Sequence, residues 1–411
     1  MQVNPRVDER LLKYARLLIE KGVNIRAGQY LIIEAPVDAY LLVQACCEVA
    51  FSRKAKDVIV FYTDEYIEKE RCLNLNPEDI KEVLPWQRDS RVHYLEQGAC
   101  SLLIKSAYPY LFETVPNSAS SALQTFTNTL RNYIRTYIAK DNIAWCIASY
   151  PNPLWAQTLF PNETSDIALD RMFDVIYDIC RIRLNEDPIV NWNTHLNKLN
   201  FYAQHLDSLK LDRFHFTNSL GTDLMIGIQA NARFSHDNSD TSFCANIPTE
   251  EISTSPDKYR VDGIVYASKP LEIGGAIIDN FGFEFKSGKI IRHFAKKNLL
   301  LLDQLISTDE GSSYLGELAF VPEKSPITQS GLLFFNTLYD ENASCHLALG
   351  RGFPSCIKGC SSTDLRDWEK YHLNHSKIHV DFMFGTYDLN ITAFDKLGNK
   401  YPIFIDGNFA F

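Results

Sequence analysis

The hydrophobic pattern changes character about halfway along the chain. In the first half, apolar residues at helical spacing over 8–21, 38–52 and 118–139 alternate with short, continuous apolar runs at 30–34, 57–62, 101–105 and 143–148. Apolar positions three and four residues apart predict helices, whereas a continuous apolar run predicts a strand buried on both faces. The alternation therefore predicts an α/β N-terminal domain with a mainly parallel, doubly wound sheet that helices cover on both faces.

Strand patterns dominate the second half. Segments of alternating apolar and polar residues lie at 212–217, 223–228, 261–266, 276–280, 283–286 and 400–405, with Gly, Asn and Asp between them. Such alternation is typical of antiparallel strands with one buried face. The change of pattern near 190–200 predicts a boundary there, with an α/β domain over 1–195 and an α+β C-terminal domain with mostly antiparallel strands over 196–411.

Composition and charge narrow the function classes. The 411 residues are 45% hydrophobic and 22% charged, as in ordinary globular proteins. A formal net charge of −10 without an Arg-rich run argues against a nucleic-acid partner. The N-terminus has no apolar signal core and the most apolar stretches are too short to cross a bilayer, so we expect no membrane association. Ten cysteines without a repeating framework indicate reduced thiols in a cytoplasmic protein.

Five potential metal ligands are spread over the second half of the chain. They are Glu251, Glu317, His346, His379 and Asp381. Carboxylates with imidazoles suit Zn²⁺, Co²⁺ or Mn²⁺ better than they suit a structural thiolate site. Three carboxylates and one hydroxide would balance the charge of two divalent ions. The set is therefore typical of a two-metal hydrolase, in which ions about 3.5–4 Å apart activate one water.

The strand patterns around three of these residues bear on the hypothesis. His379 and Asp381 lie two apart in a predicted strand and so point to one face, although a surface His beside an unrelated Asp is the simpler interpretation. Glu317 lies within an apolar run, where a carboxylate is costly unless it is paired or bound to metal. The preceding Gly316 would allow another chain segment to approach. The alternative is a salt-bridged Glu on a half-exposed strand.

The other two candidates lie in predicted turns. His346 follows a predicted capped helical turn that is entered from an apolar strand over 332–335, and a buried, hydrogen-bonded His would explain it equally. Glu250 and Glu251 follow Pro248 in a predicted turn, where two adjacent acids are usually solvated.

Cysteines offer a competing metal hypothesis. The candidate thiolate and imidazole ligands are Cys345, Cys356, Cys360, His372 and His375. Their spacing is tolerable for a structural zinc site, but the intervening residues lack a compact ββα pattern.

Several spaced motifs resemble the aminopeptidase T / aminopeptidase S family of dinuclear metallo-aminopeptidases, the thermophilic metalloproteases. They lie at 246–251, 256–257, 260–263, 309–311, 316–319, 340–346 and 379–381, and the likeness includes 147–155 and 221–224. The resemblance implies an α/β N-terminal domain, a C-terminal catalytic domain, and a cytoplasmic homodimer that releases N-terminal residues from short peptides. It also implies two divalent ions per chain, Zn, Co, Mn or Mg.

Carried over position by position, the family's ligands fall on this chain's five candidates. These are Glu251, Glu317, His346, His379 and Asp381. In the hydrolysis that we hypothesise, one carboxylate carries a proton to the leaving amine, and the candidates are Glu317 and Glu250, the neighbour of Glu251.

One position departs from the family. Seven residues after His346 the family carries an active-site Tyr, and this chain has Phe353. A phenol there would donate to the oxyanion, and losing one such donor costs about 10²–10³ in turnover. Arg351 or a second ion acting as Lewis acid would be a substitute. The alternative hypothesis is thus a catalytically weakened homologue that binds metal or peptide with little turnover.

Overall fold

The structure, a computed structural model, describes residues 8–141, 143–236, 242–273, 276–361 and 364–411. This part of the chain forms two compact units. The first holds the residues up to His195 together with 242–248 and Leu333–Leu338, and the second holds the rest. The predicted boundary region lies inside one helix, Pro188–Ser208. The division into domains 1–195 and 196–411 stays a prediction.

Helices are concentrated in the first unit. The α-helices of the described residues are α1 (Glu9–Arg16), α2 (Tyr40–Ser52), α3 (Glu65–Asn74), α4 (Pro77–Lys81), α5 (Pro85–Leu95), α6 (Asn117–Asp141), α7 (Pro153–Leu159), α8 (Ser165–Ile179), α9 (Pro188–Ser208), α10 (Leu299–Ile306), α11 (Pro326–Ser330), α12 (Thr337–Asp340) and α13 (Leu365–Lys370). A π-helical segment, Leu17–Gly22, continues α1. None of the described helices has the length and apolar composition needed to span a membrane.

Strands lie in both units. They are β1 (Tyr30–Pro36), β2 (Asp57–Thr63), β3 (Cys100–Lys105), β4 (Trp145–Ser149), β5 (Leu211–Thr217), β6 (Asp223–Gly227), β7 (Ile252–Thr254), β8 (Val261–Tyr266), β9 (Leu271–Ile273), β10 (Ala276–Lys286), β11 (Lys289–Lys297), β12 (Leu315–Phe320), β13 (His346–Gly350), β14 (His379–Met383), β15 (Asn390–Asp395), β16 (Lys400–Ile405) and β17 (Asn408–Phe409).

The first unit contains the predicted parallel sheet. Its strand order is β2-β1-β3-β4, and each neighbouring pair is parallel. Central strand β1 is buried along most of its length, because it has a neighbour on both sides and packs against α2 and α5. The predicted α/β fold with a mainly parallel sheet is confirmed.

The second unit contains a long antiparallel sheet. Its main strand order is β11-β10-β8-β6-β5-β15-β16-β17, so the predicted antiparallel character of the C-terminal half is also confirmed. The predicted break between strands 276–280 and 283–286 is wrong, since β10 runs through both. Gly282 lies within β10, where an added Cβ would come within 2.4 Å of the Val265 carbonyl oxygen. This close approach explains why the position is a glycine. The glycine permits close strand pairing and does not mark a turn.

A second antiparallel sheet, of order β14-β13-β12-β7, also lies in the second unit. We call it the site sheet. Strands β12 and β13 are buried at every residue. On the face that packs into the core, Leu318, Leu347 and Phe382 lie side by side across three strands.

The predicted strand at 332–335 is wrong. Phe335 has φ of 54°, a left-handed conformation that a strand does not contain. The apolar run reflects burial outside a strand, since Phe334 is fully buried. The carbonyl oxygen of Phe334 accepts a hydrogen bond from Trp155 Nε1. The chain then forms α12 and a 3-10 turn, Glu341–Ala343, so His346 follows a helical turn as predicted and begins β13.

Asp309 ties the entrance of β12 to the segment that precedes β14. Its carboxylate accepts hydrogen bonds from Ser312 N at 3.0 Å, Ser376 Oγ at 2.7 Å and Lys377 N at 2.6 Å. Burial alone would raise the pKa of Asp309, but the bonds from Lys377, Ser376 and Ser312 outweigh it and lower the pKa to about 2.

We expect Asp309→Ala to lower the free energy of unfolding by about 1 kcal/mol near neutral pH, because it removes a cap and several acceptors. A carboxyl whose folded pKa is depressed stabilises above its unfolded pKa, and this contribution disappears as the pH falls through the folded value. The difference between wild type and Asp309→Ala in urea unfolding should therefore shrink as the pH drops from about 3.8 to about 2. Asp309→Asn keeps the shape of the side chain without its charge. The difference in unfolding free energy between Asp309→Asn and Asp309→Ala should therefore not change over this pH range.

Candidate metal centre

The site sheet brings all five predicted ligands together. Ligand atoms of Glu251, Glu317 and His346 lie within 4.8 Å of one another, and so do those of Glu317, His379 and Asp381. Glu317 belongs to both groups, so the five side chains form two triads that share one carboxylate.

Strand register explains why these side chains meet. Glu317 of β12 lies opposite Ala348 of β13, which in turn lies opposite Asp381 of β14. Residues directly opposite in an antiparallel sheet share a face, and so do residues two apart in one strand, which adds His346 to the same face. The methyl group of Ala348 is small enough to leave the space between the two carboxylates open.

Gly316 allows the neighbouring chain to approach Glu317, as the sequence predicts. The pairing of β12 with β13 shifts register between Leu315 and Glu317. A Cβ on Gly316 would lie 2.4 Å from the carbonyl oxygens of both Gly350 and Arg351. Only a glycine therefore permits this backbone path without a shift of the β13 end.

The imidazole of His379 is anchored at one nitrogen and faces carboxylates at the other. Its Nδ1 lies 2.7 Å from the Arg351 carbonyl oxygen, which can only accept a hydrogen bond. Its Nε2 lies 3.2 Å from Glu317 Oε2 and 3.4 Å from Asp381 Oδ1. The carbonyl favours the tautomer with hydrogen on Nδ1, which leaves Nε2 as the potential ligand atom.

The buried His346 repeats this arrangement. Its Nδ1 lies 3.3 Å from the Ser344 carbonyl oxygen, and its Nε2 lies 3.1 Å from Glu251 Oε2. A backbone carbonyl that fixes the second nitrogen is a frequent feature of metal-binding histidines. The donor set therefore fits divalent metal ions, with both Nε2 atoms aimed at the carboxylates.

Charge is concentrated in this cluster. Burial alone would lower the pKa of His346, but the carboxylate of Glu251 and the charges of Asp381 and Glu317 raise it to about 10. Burial raises the pKa of Glu251 in spite of the opposing pull of His346. The pKa of Asp381 falls, against the effect of burial, because His379 lies beside it. Without a cation, these carboxylates need protonated imidazoles as partners.

Glu341 is a further acid that the sequence did not single out. Burial and the nearby charges of Asp381 and Glu251 raise the pKa of Glu341 well above its usual value, while His346 opposes the rise. It belongs to neither triad within 4.8 Å. Glu341 lies in the 340–346 motif, where the sequence could have drawn attention to it. An acid in a turn is typical of a helix cap, however, and the pattern gave no reason to interpret Glu341 as a metal ligand.

Glu250 and Phe353 are the other two site residues that the sequence predicted. Glu250 is buried, its backbone N–H donates to Asn342 Oδ1 at 2.7 Å, and its carboxylate joins neither triad. The ring of Phe353 lies with its centroid 4.9 Å from that of His379, and 37% of Phe353 is exposed. The guanidinium of Arg351 lies over the ring of Trp368 at 5.3 Å.

The competing Cys/His zinc site does not form among the described residues. The search for grouped ligands there gives the two carboxylate–imidazole triads, without the cysteines. Cys345 contacts the backbone of Val321, and Cys356 contacts Ser235. All ten cysteines lie within the described residues, and none of them forms a disulfide bond.

Comparisons with known proteins cover the whole length of the chain. The Peptidase_M29 family, thermophilic metalloprotease, matches residues 7–409. Aminopeptidase AmpS of Bacillus subtilis (strain 168) is 36% identical over 408 residues, 98% of this chain and 99% of AmpS. Aminopeptidase 2 of Geobacillus stearothermophilus is 36% identical over 414 residues, with 99% of each chain covered. The structure of wild-type AmpT from Thermus thermophilus superposes with a TM-score of 0.90 and 28% identity, covering 98% of this chain and 99% of AmpT.

The chain belongs to the M29 family of thermophilic metalloproteases, as its motifs predicted. It is therefore a metallo-aminopeptidase, a hydrolase of peptide bonds.

The contact at Gly316 yields a prediction for the Gly316→Ala variant. The added Cβ would displace the Arg351 carbonyl oxygen that anchors His379. We expect a stability loss of about 1–3 kcal/mol from overpacking, and a metal affinity lower by about 10–100-fold, because that oxygen orients a proposed ligand. Calorimetric titration with Zn²⁺ and urea unfolding would measure the two effects.

Gly28→Ala is a suitable control. A Cβ there meets nothing within 4 Å, but φ of +78° makes alanine unfavourable by about 1 kcal/mol. This variant should lose stability without losing metal affinity. Wild-type metal affinity in Gly316→Ala would contradict the anchoring role of Arg351.

Proposed function

We propose that this metallo-aminopeptidase releases N-terminal residues from short peptides, using a water that two divalent ions activate. The proposed ligands are Glu251, Glu317, His346, His379 and Asp381. The single observation that carries the proposal is the pair of triads that share Glu317, because two adjoining groups of ligand atoms would hold two ions close together.

The charge of the site supports two ions. The five proposed ligands include three carboxylates, and Glu341 adds a fourth carboxyl, whose pKa desolvation and the nearby charges of Asp381 and Glu251 raise. Divalent cations would favour the ionised carboxylates and the neutral imidazoles, since both are the forms that bind metal. The donors are oxygen and nitrogen atoms, so we propose Zn, Co, Mn or Mg as the ions. When bound, such ions supply Lewis acidity that lowers the pKa of water and polarises the scissile carbonyl.

The chain's own residues have distinct tasks in this proposal. Arg351 and Ser344 hold the two imidazoles through their backbone carbonyls. Glu317 and the neighbouring Glu250 are the candidates for carrying a proton from the water to the leaving amine. We favour Glu250 for this step, because Glu317 is shared by both triads whereas the Glu250 carboxylate belongs to neither.

The cellular location and the oligomeric state of the protein are also proposals. Ten cysteines without a disulfide bond support a reducing compartment, and we propose a cytoplasmic location. A homodimer is proposed from the family resemblance alone.

A second candidate function is a weakened homologue that binds metal or peptide with little turnover. The observation in its favour is the contact between Phe353 and His379, because the phenol of the family's Tyr is missing beside a proposed ligand. Arg351 lies over Trp368, so the contact that the structure gives its guanidinium is with an aromatic ring.

The experiment that tests the first function is hydrolysis of aminoacyl fluorogenic substrates by chelator-treated protein to which Zn²⁺, Co²⁺, Mn²⁺ or Mg²⁺ is returned. We expect activity to return with metal and to reach its maximum at two ions per chain. His379→Ala should lower kcat/KM about 100-fold or more, because it removes one proposed ligand from the triad around Glu317 and Asp381.

His93→Ala provides the matched control, since His93 is an exposed residue of α5 that contacts Gln97 just beyond the end of the helix. It should keep both the activity and the two-ion stoichiometry. Full activity in His379→Ala, or in protein shown to be free of metal, would contradict the proposal.

The two candidate functions differ in what Phe353→Tyr should do. If the missing phenol limits turnover, kcat of the variant should be higher than that of the wild type by a factor of about 10². An unchanged kcat in the presence of measurable wild-type activity would mean that the phenol is dispensable here. Phe353→Leu separates the ring from the donor, because it removes the packing against His379 without introducing a hydroxyl.

A further inference from the structure

Strand β14 is an edge of the site sheet and also carries two proposed metal ligands. Within the described residues its ladder partner is β13 alone. The interior strands β12 and β13 are fully buried, whereas His379, Val380 and Asp381 of β14 are each partly exposed. One side of β14 therefore presents main-chain polar groups that the sheet does not use.

The register identifies which groups these are. Arg351 N donates to Ile378 O, and Phe384 N donates to Cys345 O, so hydrogen bonds to β13 are made by the even-numbered residues around β14. Main-chain groups alternate in direction along an antiparallel strand. The N–H and C=O of His379 and Asp381 therefore point away from β13, toward the open edge.

The same alternation is visible at the end of the strand. Met383 is the next residue of β14 whose main-chain groups point away from β13. Its carbonyl oxygen accepts a hydrogen bond from Ser268 N at 2.8 Å. A short segment of main chain thus already pairs with β14 there. Within the described part of the chain, the outward residues of β14 that have no strand partner are thus His379 and Asp381, whose side chains belong to the triad with Glu317.

We propose that a peptide substrate pairs in an extended conformation with the open edge of β14, so that its main chain beyond the first residue hydrogen-bonds His379 and Asp381. This inference rests on the proposed function and deepens it. An open strand edge is a template for an added strand, and main-chain hydrogen bonds provide affinity that does not depend on side chains. The N-terminal residue lies over the face that carries the ligands, and the second to fourth residues run along the edge.

Two consequences follow from this arrangement. Recognition beyond the N-terminal residue depends on the substrate backbone, so kcat/KM should vary little with the side chains of the third and fourth residues. The contact at Met383 ends the free edge after two outward residues, so peptides longer than about four residues gain little further affinity.

The test uses the metal-loaded, full-length protein and tetrapeptides of one sequence. In one analogue an ester replaces the amide between residues two and three, and in another it replaces the amide between residues three and four. Neither change touches the scissile bond. An ester removes one N–H without adding bulk, so loss of a strand hydrogen bond should lower kcat/KM about 3- to 10-fold.

Strand pairing predicts an alternating result, because successive N–H groups of an extended chain point in opposite directions. One analogue should lose activity mainly through KM, and the other should be cleaved within about twofold of the parent peptide. Methylation of the sensitive N–H should reduce kcat/KM further, because the methyl group would meet the edge of β14.

Equal cleavage of both analogues and the parent would overturn the inference, and it is also the result expected if another copy of this chain covers the edge. An equal loss in both analogues would overturn strand pairing as well. These outcomes leave the proposed aminopeptidase function intact, because the parent peptide is cleaved. Failure to cleave the parent with any metal would instead overturn the proposed function itself.

Discussion

The gathering of carboxylates on one face of the site sheet is the constraint on which the second unit depends. Removing an ionised carboxylate from water costs several kcal/mol unless a counter-charge compensates for it. Here Glu317 lies near His379 and Asp381 on one side, and near Glu251 and His346 on the other. Each imidazole is held by a backbone carbonyl at Nδ1, so its Nε2 is directed at the acids. The two carbonyls belong to Arg351 and Ser344, which flank β13. The chain segments at the two ends of this strand therefore orient the imidazoles.

Small residues make the arrangement possible. Ala348 lies between Glu317 and Asp381 in the strand register, and a larger side chain would fill the space that the carboxylates share. Gly316 lets the carbonyl oxygens of Gly350 and Arg351 approach β12. The face toward the core carries large apolar residues instead, so one sheet combines a packed side with a polar side. Site and core are thus two consequences of the two-residue period of a strand.

The sequence predicted the parts of this design that local periodicity encodes. The parallel sheet, the buried strand around Glu317 and the strand that carries His379 and Asp381 are confirmed by the structure. The motifs also predicted the family correctly. Periodicity failed where burial came from something other than a strand, as at 332–335, and where a glycine permitted close pairing, as at Gly282. Glu341 was not singled out because its proximity to Asp381 and Glu251 arises from tertiary folding.

Phe353 shows how one position can carry two physical effects. The aromatic ring packs against His379, which is held on its other side by the Arg351 carbonyl oxygen. Packing of this kind fixes a rotamer and is independent of any hydroxyl group. Ser255 Oγ accepts a hydrogen bond from Phe353 N at 2.8 Å, so the backbone at this position is fixed as well. A Phe therefore keeps the packing against the imidazole and has no hydroxyl group, which is the donor that we propose is missing here. Since orientation acts on metal binding and the donor acts on the transition state, the two contributions are separable in this chain.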